Sequence, residues 1–177
     1  GSFDTPVLEN IRFINVFAND EGSAWKAPNL NHFADGEISL AGGTRSLRMT
    51  TVTNTVITAR QGAQVTFERL ELCTGAGFPA LNASGGSRLE FPMLRDLLGP
   101  ISGIFPASLA IRAESGSTVN LSALDRSPTG RVLFLADGSN SVVRLNALRQ
   151  MDGTTSGTAG SLEASNGGID FLYGIDL

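Results

Sequence analysis

The chain has 177 residues, enough for one domain with its own hydrophobic core. Its net charge of −4 and scattered arginines argue against a nucleic-acid or anionic-membrane partner, and no apolar run approaches the roughly 20 residues of a membrane-spanning helix. With 21 glycines, 7% aromatic residues and only 17% charged residues, the composition favours many short strands joined by tight turns. The single cysteine, Cys73, excludes an internal disulfide, and we expect it to be a buried apolar side chain.

The predicted elements follow one repeat, with the pattern apolar-x-Ala-x-x-Gly-small-x-apolar-x-apolar-x-x-Leu. We expect residues 1–16 to form an N-terminal cap or an extra coil. Loose copies then begin at Phe17-Ala18 and around Gly43, and they are followed by strict copies. The strict copies are Ile57, Ala59, Gly62, Ala63, Val65, Phe67, Leu70; Leu81, Ala83, Gly86, Ser87, Leu89, Phe91, Leu94; and Ile111, Ala113, Gly116, Ser117, Val119, Leu121, Leu124. Two copies with altered turns, anchored on Ala136 and Ala164, complete the series.

The alternation of apolar and polar residues within each copy predicts two short strands with a turn at the glycine. A unit of this size cannot bury its own apolar face and must stack on its neighbours. We therefore predict an all-β chain, a right-handed parallel β-helix of about seven coils, in a single domain spanning 1–177. A leucine-rich repeat has a similar period but requires an asparagine-containing consensus that is absent, and helical repeats require apolar stripes that are also absent.

The stacking model also predicts a column of charges on the outer surface. The residue after the final leucine of the repeat is Glu71, Arg95, Asp125 and Arg149 in four consecutive copies. If these side chains lie at one corner, each faces an opposite charge on the neighbouring coil, which stabilises the pair by roughly 0.2–1 kcal/mol.

Two insertions, residues 97–108 and 150–160, interrupt the repeat at the same corner. The first is apolar and the second is polar. No capping helix follows the last copy at residues 175–177, so we expect the sequence to be a fragment of a longer solenoid that packs end to end with further coils or subunits.

The sequence contains little that indicates catalysis. His32 is the only histidine, so a multi-histidine zinc site is impossible, and no nucleophile, phosphate-loop or dinucleotide motif occurs. The calcium-binding nonapeptide of some β-helices is missing. The one acidic pair worth testing for polysaccharide cleavage is Glu114 and Asp137, which the repeat places on neighbouring coils. We predict no catalytic residue, no metal and no cofactor.

Any function must therefore be carried by outward-facing residues. The candidates for binding are Arg112, Asn120 and Asp125, together with Glu114 and Asp137 beside the variable turn.

The coils Ala83-Ser84-Gly85-Gly86-Ser87-x-Leu89-x-Phe91 and Ala113-Glu114-Ser115-Gly116-Ser117-x-Val119-x-Leu121 resemble those of large bacterial secreted or surface β-helix proteins, such as adhesins and autotransporter passengers. The resemblance covers residues 17–175. It implies a non-catalytic structural or adhesive module, extracellular or on the bacterial cell surface, whose partner is a protein or a glycan, without nucleic acid and without membrane insertion. The alternative is a polysaccharide-cleaving β-helix enzyme resembling pectate lyases or phage tailspikes.

Overall fold

The computed structural model describes residues 1–75, 80–100, 108–152 and 160–172. The first strands are β1 (Ser2–Asp4), β2 (Asn10–Arg12), β3 (Asn15–Ala18), β4 (Ala24–Lys26), β5 (His32–Ala34), β6 (Glu37–Ala41), β7 (Thr44–Leu47), β8 (Thr51–Thr53), β9 (Val56–Arg60), β10 (Gln64–Phe67) and β11 (Leu72–Thr74). They are followed by β12 (Ala80–Ala83), β13 (Arg88–Glu90), β14 (Asp96–Leu98), β15 (Leu109–Glu114), β16 (Thr118–Asn120), β17 (Arg126–Thr129), β18 (Val132–Asp137), β19 (Val142–Leu145), β20 (Gln150–Met151), β21 (Ser161–Ser165) and β22 (Ile169–Leu172).

Every third strand pairs in parallel, and this pairing builds three long sheets. Sheet 1 contains seven strands in the order β2-β5-β8-β11-β14-β17-β20, and sheet 2 contains seven in the order β3-β6-β9-β12-β15-β18-β21. Sheet 3 contains six strands, β7-β10-β13-β16-β19-β22, while β1 pairs separately with β4. The predicted all-β parallel solenoid is confirmed.

The described strands wind through about six turns, against about seven in the prediction. Residues 1–16 contain β1 and β2, and β2 pairs with β5 as the first strand of sheet 1. The right-handed winding stays a prediction.

The inward positions of the repeat form columns through the core. Leu81 lies in register with both Ile57 and Ile111, and Ile111 with Phe134. All four side chains are completely buried. The alanine column follows the same register, with Ala59, Ala83, Ala113 and Ala136 buried two residues further along each strand. Because each unit covers the next, the core is continuous from coil to coil.

Aromatic stacking strengthens one of these columns. The rings of Phe67 and Phe91 lie on consecutive coils, 4.9 Å apart between centroids with an interplanar angle of 17°. Cys73 occupies the inward position of β11, between Val52 and Leu97, and is fully buried. This confirms the predicted buried apolar side chain, and burial raises the pKa of its thiol to about 12.

The predicted glycine turn connects sheet 2 to sheet 3. Gly62, Gly86 and Gly116 have φ angles of 76°, 73° and 74°, and in each turn the preceding residue also has positive φ. A Cβ on Gly62 or Gly86 would meet no atom within 4 Å, so the left-handed backbone, and not crowding, is the reason for glycine here.

The small residue after this glycine has a hydrogen-bonding role. The buried hydroxyl of Ser117 accepts from the amide of Ser87 at 3.1 Å, and the hydroxyl of Ser87 accepts from the amide of Ala63 at 3.1 Å. Ser141 accepts from the amide of Gly116 at 3.0 Å in the next coil. These serines form a ladder that satisfies backbone donors at the turn, where the chain leaves one sheet for another.

The loose N-terminal copies differ from the prediction in detail. Val16 lies in the inward column beside Ile38, whereas Phe17 is in register with Ser39 and is 54% exposed. In β7, Arg45 occupies the position that Val65 fills on the next coil. Its guanidinium donates to the backbone carbonyls of Asp20, Ser23, Ala41 and Gly42, which ties the β3–β4 connection to the corner above it.

The described residues include only part of the two predicted insertions. Residues 101–107 of the apolar insertion and 153–159 of the polar one lie outside them, as do residues 173–177 at the C-terminus.

Candidate functional site

The five candidate binding residues lie in three separate places on the solenoid surface. Arg112 and Glu114 point outward from β15 in sheet 2, and Asp137 lies in register with Glu114 on β18. Asn120 is on the outer face of sheet 3, and Asp125 is at the corner between sheets 3 and 1. The fold therefore brings together Arg112, Glu114 and Asp137, but it does not bring all five residues together.

Asp137 is engaged in hydrogen bonds that keep it ionised. Its Oδ1 accepts from the Ser165 hydroxyl and from the Asn166 side-chain amide, each at 2.7 Å. These two bonds, with that of Ser165 the larger influence, hold the pKa of Asp137 below its usual value. A general acid needs the opposite shift, because it must be protonated when the leaving group departs. The lowered pKa therefore does not suit Asp137 to the role of general acid.

The outer face of sheet 3 carries a connected polar network. The Glu90 carboxylate accepts from Arg88 on the same strand and from the Asn120 amide at 2.5 Å on the next coil. The Oδ1 of Asn120 accepts from the backbone amide of Ser122 at 3.2 Å, so hydrogen bonds fix both the oxygen and the nitrogen of the Asn120 side-chain amide. Arg144 follows in register on β19 and makes no ion pair with a described residue.

This surface, defined by Arg88, Glu90, Asn120 and Arg144, is called the sheet 3 polar face below. It spans three coils, on β13, β16 and β19, which at about 4.8 Å between neighbouring strands is about 10 Å along the axis. Of these four residues, only Asn120 was predicted from the sequence to be a binding residue. The signal that finds Glu90 and Arg144 is the second outward position of each sheet 3 strand, read across coils.

The predicted charge column lies at one corner. The Arg95 amide donates to the Glu71 carbonyl at 3.1 Å, and the Arg149 amide donates to the Asp125 carbonyl at 2.9 Å. One of the predicted opposite-charge contacts is formed, with 3.6 Å between Arg149 Nε and Asp125 Oδ1. No other ion pair within this column occurs among the described residues. Asp96 and Arg126, one position further along the chain, form a second pair with 2.9 Å between Oδ1 and Nε.

A cluster at the corner between sheets 1 and 2 was not predicted. Asp35 accepts from the Asn54 amide at 2.9 Å and from Arg12 Nε at 2.7 Å, and these bonds lower its pKa. Phe13, Asp35 and Asn54 all have positive φ at this corner. Asparagine and aspartate tolerate this conformation better than most residues, so the cluster stabilises a turn.

His32 was considered as a metal ligand because it is the only histidine in the sequence. The Nδ1 of half-buried His32 lies 2.6 Å from the hydroxyl of Thr51. Within the described ranges there is no group of three or more histidine, cysteine, aspartate or glutamate side chains placed to hold a metal ion.

The N-terminal end of the solenoid contains a concave apolar cavity of about 790 Å³. Residues that line it include Phe3, Leu8, Ile11, Ile14, Val16 and Trp25. Phe3 and Ile14 are 67% and 51% exposed, so the core is open to solvent here. No repeat position in the sequence marks this cavity, which forms from residues of several N-terminal strands.

The fold and these surfaces define a parallel β-solenoid with polar outer faces. No protein-family model matches the chain, and neither a curated protein nor a solved structure matches it. No helix capable of spanning a membrane is found in the part of the chain that the structure describes.

Proposed function

We propose that this chain is a non-catalytic structural and adhesive module of an extracellular or cell-surface bacterial protein, and that it binds a glycan through the sheet 3 polar face. The observation that carries the proposal is the network of Glu90 with Arg88 and Asn120, which orients polar groups on a regular surface with Arg144 beside them.

Such a face suits a hydroxyl-rich or acidic polysaccharide better than an apolar ligand. Planar amide and guanidinium groups hydrogen-bond sugar hydroxyls, and a guanidinium additionally forms paired bonds with carboxylates. The rigid strands hold these groups in place before binding, which reduces the entropic cost of association. Protein partners of similar polarity are the other candidates for the same face.

The proposal is tested with a glycan array followed by titration of the best ligand. We expect Arg144→Ala to weaken binding about tenfold or more, the effect of losing a hydrogen bond to a charged group. Arg69→Ala is the matched control, because Arg69 is exposed but lies in the turn after β10, outside the face. Equal binding by wild type and Arg144→Ala, or equal losses in both variants, contradicts the proposal.

The enzymatic alternative rests on the neighbouring Glu114 and Asp137 carboxylates. It is tested by incubating the chain with acidic polysaccharides and measuring new reducing ends or unsaturated products. Reproducible turnover that is lost in Glu114→Gln or Asp137→Asn, with Arg69→Ala still active, would replace the adhesive function by the enzymatic one.

A further inference from the structure

The corner between sheets 3 and 1 carries charges that alternate in sign over four consecutive coils. Its charged residues, called the charged corner face below, are Glu71, Arg95, Asp96, Asp125, Arg126 and Arg149. Each coil contributes one residue at the turn, and the two middle coils also contribute the residue that follows it. The charge is negative on the first coil, positive then negative on the second, negative then positive on the third, and positive on the fourth. At about 4.8 Å between coils, the face extends about 14 Å along the solenoid axis.

The ion pairs within one chain leave part of this face without an ionic partner. The pair of Arg149 with Asp125 is long, at 3.6 Å between Nε and Oδ1. Glu71 and Arg95 lie on adjacent coils and are exposed, but neither side chain forms an ion pair with another described residue. The face therefore presents charges that a second molecule can neutralise.

The order of the charges is self-complementary. Read from the fourth coil back to the first, the face has the opposite sign at each of its charged positions. A two-fold axis that lies in the contact plane, perpendicular to the solenoid and level with the gap between the second and third coils, reverses the coil order in a second copy. Glu71 then lies opposite the partner's Arg149, and Arg95 lies opposite the partner's Asp125. The remaining two charges, one on each middle coil, also meet with opposite sign.

Other arrangements of two copies lose this match. A two-fold axis parallel to the solenoid keeps the coil order, so each residue lies opposite its own copy and like charges meet. A perpendicular axis centred on one coil has the same effect at that coil. Moving the axis by one coil toward the N-terminus pairs Glu71 with Arg95 but places Asp125 opposite the uncharged Thr50, which precedes Glu71 at this corner. Like charges opposite each other are unfavourable, so the antiparallel arrangement is selected.

A short apolar strip beside the charges matches in the same arrangement. Met93 is 41% exposed on the second coil, and the half-buried Ala123 occupies the equivalent turn position on the third. The same two-fold axis places Met93 opposite the partner's Ala123, which sets a long side chain against a short one. Apolar contact here excludes water beside the ionic pairs.

We propose that the protein forms a symmetric antiparallel dimer with a second copy of itself through the charged corner face. The contact is isologous, so every pair of residues in it occurs twice. Because the face is a narrow ridge on the side of the solenoid, the interface belongs with small, transient ones that bury less than about 1,200 Å². The proposal is independent of glycan binding by the sheet 3 polar face.

Salt dependence is the first test. In sedimentation velocity on the 177-residue chain, the average mass should rise as the protein concentration approaches about 1 mM, the range in which weak complexes form. The dissociation constant should increase about tenfold or more between about 20 mM and about 500 mM sodium chloride, because salt screens exposed charges.

Charge exchange tests which residues meet. Arg95→Glu and Asp125→Arg should each weaken dimerisation about tenfold or more, since symmetry makes each change replace two attractive contacts by repulsive ones. A chain that carries both changes, and an equimolar mixture of the two single variants, should each recover dimerisation because opposite charges again meet. Lys26→Glu is the matched control, with the same change in net charge on exposed β4, two coils before Glu71, and should dimerise like the wild type.

Disulfide formation tests the orientation. Glu71 should lie opposite the partner's Arg149, whereas the two copies of Glu71 should be about 14 Å apart along the axis, too far for a disulfide. An equimolar mixture of Glu71→Cys and Arg149→Cys chains, oxidised by air, should therefore give a linked dimer, and Glu71→Cys alone should give at least about tenfold less. The native Cys73 is buried and does not compete.

Several results would overturn the proposal. These are a wild type that stays monomeric at low salt and the highest concentration, equal effects of Arg95→Glu and Lys26→Glu, no recovery in either exchanged combination, or equal linking by Glu71→Cys alone. Far-ultraviolet circular dichroism verifies that each variant is folded. Glycan binding by Arg144→Ala and dimerisation by Arg95→Glu are separate measurements, so either proposal can fail without the other.

Discussion

The serine ladder predicts that a single buried hydroxyl stabilises the turn between sheets 2 and 3. Ser117 is completely buried, and its Oγ accepts from the amide of Ser87 at 3.1 Å. Ser117→Ala removes this acceptor and leaves the amide without a bond in a place that water does not reach. A buried, unsatisfied donor costs about 1–3 kcal/mol, so we expect the free energy of unfolding to fall by that amount.

The assay is urea unfolding followed by circular dichroism, combined with amide hydrogen exchange. The transition midpoint should fall with little change in the slope, because the surface exposed on unfolding is nearly the same. Exchange should accelerate at the Ser87 amide first. Ser122→Ala is the control, since Ser122 is exposed in a turn of the same coil. If Ser117→Ala and Ser122→Ala lower stability equally, or if Ser87 keeps its protection, the hydroxyl does not have the role we assign to it.

Three further predictions concern single side chains. Arg45→Met should lower stability by about 2 kcal/mol, because the guanidinium no longer donates to four backbone carbonyls, of which only that of Asp20 keeps a second donor, the Ser23 amide, among the hydrogen bonds described above. Amide exchange should increase in β3 and β4 while the central coils stay protected, and uniform exchange along the chain would refute this. The thiol of Cys73, whose pKa is raised to about 12 by burial, should react with a disulfide reagent at neutral pH only as fast as the protein unfolds, and immediate labelling would contradict its position. The lowered pKa of Asp137 means that its stabilising contribution is present above about pH 4, the ordinary carboxyl value, and is lost as pH falls through the folded value. Asp137→Asn should therefore flatten the loss of stability in acid, and an unchanged pH profile would show that its bonds with Ser165 and Asn166 are not formed in solution.

Much of the solenoid could be predicted because its repeat combines two independent signals. Alternation with period two identifies inward positions such as Leu81 and Ile111, and glycine marks turns such as Gly86 where the backbone is left-handed. Both signals depend on local stereochemistry. They are weaker in the N-terminal coils, where the loose copy marked by Phe17-Ala18 has two adjacent apolar residues, Val16 and Phe17, of which only Val16 lies in the inward column. A one-residue shift of register moves every side chain to the opposite face, and no strong turn signal fixes the register there.

The candidate site was less predictable, for a related reason. Coil lengths vary, so residues that lie side by side are 23 to 30 positions apart in the strict and altered copies, as shown by Ala59, Ala83, Ala113, Ala136 and Ala164. Neighbours on adjacent strands, such as Glu114 and Asp137, follow once the repeat is aligned. Contacts made by turn residues do not follow from the alignment of the repeat, because the conformation of each turn decides which neighbouring groups its side chains contact.

By itself, the sequence determined the class of fold, the composition of the core columns, the glycine corners and the buried thiol, since these follow from strand alternation and backbone conformation within one coil. Tertiary structure decided which polar groups meet across coils: the acceptor position of Asp137, the network around Glu90, the carbonyls bound by Arg45, and the open apolar cavity at the N-terminal end. The physical reason is that a coil defines its own inward and outward faces, whereas hydrogen bonds, ion pairs and end surfaces exist only after separate coils have been placed in register.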